Sequence, residues 1–360
     1  MKICILQDHL RNGGTERQSI LLAQRFLAEG HATTLVRFRP GGTLSGLLGA
    51  VPNVVLQPFD CRLNGFAPGL IRRLRALDPD VILCMGREAN RRGARLQRAF
   101  PRTAVVATLR TGKPLSAGFR RSLHAVAHVV ANSDASGDVL RAKHGVPAGR
   151  VSVIKNALVF PPGTAAHDEA LRTRHGAGPD TVVLLCAGMF RPEKNQSALL
   201  SIAARLPASP DWQLWFAGAG PAEAACREHC ARAGLENRVR FLGFQTDPAP
   251  LYRAADVAVL TSRSESLSNF LIEAQAHGLP AVAYAATGVA ECLADGRSGR
   301  VVAMDDADGF LTALTPLITN AETRARFGAE ARDFARTAFD PAARARDYLA
   351  LFARLNPDRA

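Results

Sequence analysis

The sequence predicts an α/β protein built as two doubly wound parallel-sheet domains. Three observations carry this: a length of 360 residues, short β-rich apolar runs alternating with helical patterns, and a glycine-containing turn after the first strand of each half. At roughly 100 to 200 residues per domain, the length allows two separate cores. Strand and helix in alternation is the pattern of strand-helix-strand units, whose parallel sheet lies between layers of helices. Apolar residues at 47% and charged residues at 21% are ordinary globular values and leave no block that reads as disordered.

In the first half, strands are expected at residues 2–6, 32–38, 54–58, 80–85, 104–109, 129–132 and 151–154. Periodicity then lapses over residues 160–179, where Pro161-Pro162-Gly163 and Gly176-Ala177-Gly178-Pro179 mark a linker. A second series follows at 181–187, 213–217, 239–242, 257–260, 281–284 and 299–302, so the domains are assigned to 1–165 and 166–360. Helical patterns over 321–337 and 341–355 close the chain. The second of these carries Tyr348, Leu349, Leu351 and Phe352 as an apolar stripe, expected to pack back on the domain junction.

The apolar stretch before Gln7 and Asp8 is too short for a secretory signal, and no run approaches the roughly 18 apolar residues of a spanning helix. A soluble or peripheral protein is expected, with the cytoplasm as default address. Cys4, Cys84 and Cys186 lie in apolar strand-like runs, where a thiol behaves as a small hydrophobe, so the seven cysteines read as reduced and structural. The net charge of +13 is uneven. Lys and Arg outnumber Asp and Glu 24 to 9 up to Phe160 and stand at 21 to 23 beyond it.

The first strand runs into Asn12-Gly13-Gly14-Thr15-Glu16-Arg17-Gln18. Paired glycines let a ligand approach the backbone at a helix N-terminus, where free N–H groups favour an anion. Thr15 with Gln18 fits a capping box, which places the helix start there. A plain tight turn accounts for the same residues.

In the second half, the first strand ends in Gly188-Met189-Phe190-Arg191-Pro192-Glu193-Lys194. Two cations after a glycine at a strand's carboxyl end suit a diphosphate, Arg191 as a fork and Lys194 as a point charge; two surface charges on a solvated loop are the alternative. Further on, Ser268 or Asn269 can cap a helix ending at Gly278. Glu265 then precedes that helix and Glu273 lies in its first turns among Phe270, Leu271 and Ile272, a costly place for a carboxylate without partners. Two staggered carboxylates suit two sets of vicinal hydroxyls, which leaves the amides of Asn269, Phe270 and Leu271 for a phosphate.

These motifs together resemble the retaining glycosyltransferases of family 4, over nearly the whole chain. The resemblance rests on Gly13 to Arg17, Glu29-Gly30-His31, Ala131-Asn132-Ser133, Val153 to Asn156, Gly188 to Lys194, Phe216 to Pro221 and Gly288-x-x-Glu291. Its most specific part is Glu265 and Glu273 with seven residues between. It implies a GT-B fold of two Rossmann-like domains facing across a cleft. The implied nucleotide-sugar site contains Gly14, Gly188, Arg191, Lys194, Gly218, Gly243, Glu265, Asn269, Phe270, Leu271 and Glu273. Of these, Arg191, Lys194 and Glu265 carry the catalysis, Gly14 lies near the donor phosphates, and Glu273 holds the ribose. The family implies no metal, so Asp306-Ala307-Asp308 reads as a helix-capping turn.

The sequence departs from the family in having Ser266 where a glycine is common, and no histidine at the strand ends near Cys84 and Leu109. Arg110 is the candidate for an electrostatic role there, and His31, His124 and His128 read as structural. By analogy the first domain takes a glycan or lipid-linked acceptor. Arg91, Arg95 and Arg98, spaced for one helical face, suit either anionic lipid headgroups or a solvated face. Two other readings are a sugar-nucleotide epimerase or binding-only relative, and a basic nucleic-acid-binding protein. The last is disfavoured by 6% aromatics with none among the arginine clusters, so no nucleic acid is expected.

Overall fold

The computed structural model describes residues 1–11, 13–161 and 167–357. It divides into two compact units, Met1–Ala157 together with the chain from Phe339 onward, and Leu158–Ala338. The boundary expected between 165 and 166, with Pro162 and Gly163 of the linker, lies outside the described residues.

The first unit holds β1 (Lys2–Gln7), β2 (Ala32–Arg37), β3 (Asn53–Val55), β4 (Val81–Cys84), β5 (Ala104–Leu109), β6 (His128–Ala131) and β7 (Val151–Val153). All pairings are parallel, in the order β3-β2-β1-β4-β5-β6-β7. Both faces are covered, as the continuous apolar strands require. Ile3, Ile5, Leu83 and Val106 face one core with Phe26, and Cys4, Leu6, Ile82 and Cys84 face another with Phe119. Burial pushes the Cys4 thiol up to about 12, consistent with a structural cysteine.

Helix Pro341–Leu355 completes the first of these cores. Tyr348, Leu351 and Phe352 are buried there, and Phe26 meets Tyr348 and Phe352 edge-on at 6.1 and 5.8 Å. Asn356 also donates to the Asp80 carbonyl at 2.9 Å. The assignment of residues 339–360 to the second domain is therefore corrected. Helix Ala321–Ala338 does stay with the second unit, packed on helix Asn269–Ala276.

The second unit holds β8 (Val182–Ala187), β9 (Trp212–Ala217), β10 (Val239–Phe241), β11 (Val257–Leu260), β12 (Ala281–Tyr284) and β13 (Gly299–Val302), all parallel, in the order β10-β9-β8-β11-β12-β13. The chain lays down β8, β9 and β10 outward, then crosses back to place β11 on the other side of β8. The gap between β8 and β11 is a topological switch point, where loops diverge at the carboxyl edge and leave a crevice.

Candidate functional site

Lys194 and Glu265 meet at that switch point. Lys194 closes the short turn Pro192–Lys194 after β8, Glu265 lies in the loop after β11, and Lys194 Nζ donates to Glu265 Oε1 at 2.6 Å. The two loops are laced together by backbone bonds. Arg263 N donates to the Glu193 carbonyl at 2.9 Å, and Thr261 Oγ1 to that of Asn195 at 2.8 Å. Arg191 stands at the start of the same turn, half-buried, with Glu193 3.9 Å away. Asn195 Nδ2 and Ser262 Oγ are buried with no hydrogen-bond partner among the described residues, beside a pair of charges. Orphaned polar atoms at such a place are ready for a ligand's hydrogen bonds.

Three glycines line the adjoining strand ends. Gly188 N donates to the Ala217 carbonyl and Gly218 N to the Gly243 carbonyl, both at 2.8 Å, so the exits of β8, β9 and β10 lie in one row. Gly218 has φ +150, and a β-carbon there would collide with the Gly188 carbonyl oxygen. Only glycine permits this approach.

Helix Asn269–Ala276 begins where expected, with Ser268 as cap accepting from Leu271 N at 3.4 Å. The cap uses the Leu271 amide, so of the three amides assigned to a phosphate that one is corrected to a structural role. Glu273, one turn along, accepts from Tyr252 Oη at 2.7 Å. Tyr252 is 3% exposed, stacked on Phe270 and tilted over His277 at 4.8 Å between ring centres. Burial beside Arg253 and Arg332 lowers the His277 pKa. Tyr252, Asn195 and Ser262 were not singled out in the sequence. A tyrosine in an apolar helix reads as core, and only its hydroxyl, which needs a partner when buried, hints at more.

In the first unit, Gly14 opens helix Gly14–Ala28 with Gly13 as a cap lacking any side-chain bond. The expected capping box is corrected. Gln18 instead exchanges two hydrogen bonds with the Ala157 backbone, at 2.7 and 2.8 Å. Asp8, after β1, accepts from the amides of Glu88 and Ala89 at 2.9 Å each, and burial raises its pKa to about 6. Arg110 donates to Asn156 Oδ1 at 2.5 Å and to Tyr348 Oη at 2.8 Å, which makes it a strut between β5, the segment after β7 and the last helix.

Arg91, Arg95 and Arg98 are exposed but do not share one helix. The Ser122 hydroxyl donates to the Arg91 carbonyl and accepts from Ala94 N, and Gly93 packs against Val126, so the chain breaks into Arg87–Arg91 and Gly93–Ala99. His128 is buried on β6 against Ser152 Oγ at 2.9 Å, and burial lowers its pKa to about 4. Asp306 caps helix Ala307–Thr319 through Gly309 N at 2.8 Å. Among the described residues, no group of three His, Cys, Asp or Glu side chains could hold a metal ion.

The family model described as glycosyl transferases group 1 matches residues 167–334, and that described as glycosyltransferase family 4 matches residues 12–158. Among curated relatives, a D-inositol 3-phosphate glycosyltransferase of Catenulispora acidiphila is 36% identical over 219 residues, 58% of this chain and 51% of that protein. The lipopolysaccharide core biosynthesis glycosyltransferase LpsE of Rhizobium meliloti is 33% identical over 41% of this chain and 42% of its own. The chain thus spans about half the length of these relatives. Among solved structures, HepE of Anabaena in complex with UDP and glucose superposes with a TM-score of 0.81 at 23% identity, over 98% of this chain and 100% of that one. Sucrose-phosphate synthase of Thermosynechococcus elongatus gives 0.80 at 18% identity, over 99% of each chain. These likenesses give the chain the GT-B fold.

Proposed function

Because the chain belongs to glycosyltransferase family 4, we propose that it moves a sugar, with retention of anomeric configuration, from a nucleoside diphosphate sugar to a glycan or lipid-linked acceptor. The observation that carries the reading is the Lys194–Glu265 pair at the switch point, with Glu273 held by Tyr252 one helix turn away. Before the donor binds, Lys194 and Glu265 satisfy each other. A diphosphate arriving at Arg191 and Lys194 competes for that ammonium and frees Glu265 to accept from sugar hydroxyls. As the glycosidic bond breaks, negative charge grows on the leaving diphosphate, and the two cations with the amides of Asn269 and Phe270 stabilise it in place of a metal. Glu273 accepts from both ribose hydroxyls.

Calorimetry with a panel of UDP-, GDP- and ADP-sugars tests this. One base is expected to bind selectively, with binding lost in Glu273→Ala. In Tyr252→Phe it should weaken about tenfold, the worth of one hydrogen bond near 1.4 kcal/mol. Equal binding by wild type and Glu273→Ala, or none by either, would refute the site.

We further propose that the first unit rests on an anionic membrane surface. The loop before helix Leu70–Leu77 exposes Phe59 at 69%, Leu63 at 59% and Phe66 at 46%. These tips are held in place. Buried Gln57 donates to the Leu63 and Phe66 carbonyls at 2.8 and 2.6 Å, and Arg39 grips Asp60 through two bonds and Asn64 through a third. Beside them lies a cavity of about 230 Å³ bordered by Arg72, Arg92 and Arg95. Among the described residues no helix is long and apolar enough to cross a membrane, so attachment would be interfacial, apolar tips adding to about 1 kcal/mol per cation. Sedimentation with phosphatidylglycerol vesicles is expected, abolished by Phe59→Ser/Leu63→Ser/Phe66→Ser. Equal sedimentation with phosphatidylcholine vesicles, or by the triple variant, would count against it.

A further inference from the structure

The second unit carries another cavity, at the opposite edge of its sheet from Lys194 and Glu265. About 250 Å³ in volume, it is bordered by Asp256 and Pro280, which immediately precede β11 and β12, and by Arg253, His277, Arg324 and Arg332. We propose that this cavity is a binding site for a small oxyanion, inorganic phosphate or a phosphomonoester, separate from the donor site.

The cations there have capacity to spare. Arg332 lies across Gly278, whose φ of +80 and missing β-carbon make room for it: a Cβ there would stand 2.5 Å from the guanidinium carbon. Its one side-chain hydrogen bond among the described residues is long, 3.5 Å to the His277 carbonyl. Among the described residues Arg253 has one distant ion pair, with Asp168 at 3.7 Å. Arg324 spends only its Nη1, on the Leu317 and Ile318 carbonyls at 3.0 and 2.9 Å, and keeps its other N–H groups. His277 is not one of these cations: burial lowers its pKa, its Nδ1 donates to the Glu273 carbonyl at 2.9 Å, and the buried Nε2, with no partner among the described residues, is left as an acceptor for the P–OH of a monoprotonated phosphate.

Among the described residues one carboxylate borders the cavity, and it is already neutralised. Asp256 Oδ2 accepts from Arg172 at 3.0 Å and from Val183 N at 2.7 Å, while His167 stands 3.8 Å from Oδ1. Ala321 adds the N-terminus of the 18-residue helix Ala321–Ala338 to the wall. Positive charge, unspent N–H donors, a helix N-terminus and a neutralised carboxylate together favour an anion over a cation or an apolar group.

The test is calorimetric titration of inorganic phosphate and of glycerol phosphate into the whole chain. The Arg253→Gln/Arg332→Gln variant is expected to lose at least tenfold in affinity, and Arg332→Lys, which keeps the charge, to stay within about threefold of wild type, while Arg191→Gln at the donor site leaves this event unchanged. Tighter binding of glycerol phosphate would mark a phosphomonoester as the ligand, equal binding a free oxyanion. The site is overturned if no binding appears at 10 mM, if the double variant binds like wild type, or if Arg191→Gln abolishes the signal. Unaltered nucleotide-sugar binding in the double variant shows that it is folded and keeps failure here distinct from failure of the donor site.

Discussion

Replacing Lys194 with alanine is expected to lower kcat by about 10²–10³-fold, the usual loss when one fixed stabiliser of transition-state charge is removed. The effect should fall on kcat more than on nucleotide affinity, because the diphosphate gains negative charge only as the sugar leaves. The substitution also strips Glu265, 9% exposed, of the ammonium 2.6 Å away. A carboxylate left unpaired at that depth costs about 1–3 kcal/mol, so thermal stability should drop as well. Adding Glu265→Gln to Lys194→Ala should recover that stability without restoring turnover. An unchanged kcat in Lys194→Ala would remove the ammonium from the mechanism.

Gly218→Ala should be the most damaging methyl group that can be added near the site. The position has φ +150, and its β-carbon would run into the Gly188 carbonyl oxygen, so β8 and β9 must separate at their exits. Backbone strain and overpacking each cost about 1–3 kcal/mol. The variant should melt several degrees lower and fail to bind nucleotide. Gly243→Ala is the matched comparison. Its φ is +68 and nothing lies within 4 Å of a β-carbon, so it should lose only about 1–2 kcal/mol. Similar melting temperatures for the two variants would show that the row of glycines is not tight.

Both substitutions fall where local sequence was informative. Parallel strands covered on both faces are continuous apolar runs, and those runs matched the strands of both sheets to within a few residues. Ser268 was legible because a cap bonds to a residue three positions away, and Gly188 and Lys194 because the loop that holds both follows its strand directly. What the sequence concealed depends on distant partners. Gln18 has the spacing of a capping residue, yet its amide is drawn 139 positions along the chain to Ala157. Arg172 falls in the stretch 160–179 that reads as a linker, yet it lies on helix Glu169–Arg174, is 1% exposed and donates to the carbonyls of Ala254, Gly178 and Thr181 as well as to Asp256. Arg91 and Arg95 looked like one helix because nothing nearby signals that Ser122 takes up the Arg91 carbonyl and the Ala94 amide between them. The Tyr252 hydroxyl finds Glu273 through helix packing, which no spacing encodes.

The last helix, with Tyr348, Leu351 and Phe352 seated beside Phe26, bears on the order in which a ribosome can deliver the structure. Domains made during synthesis usually mature from the N-terminus. Here the segment made first lacks a wall of its core until residue 352 has left the exit tunnel, whereas Leu158–Ala338 is by then complete. The nascent first half must wait, half-covered, through the translation of its neighbour, and a chain released after residue 338 would leave that half, and not its neighbour, exposed to proteases and chaperones.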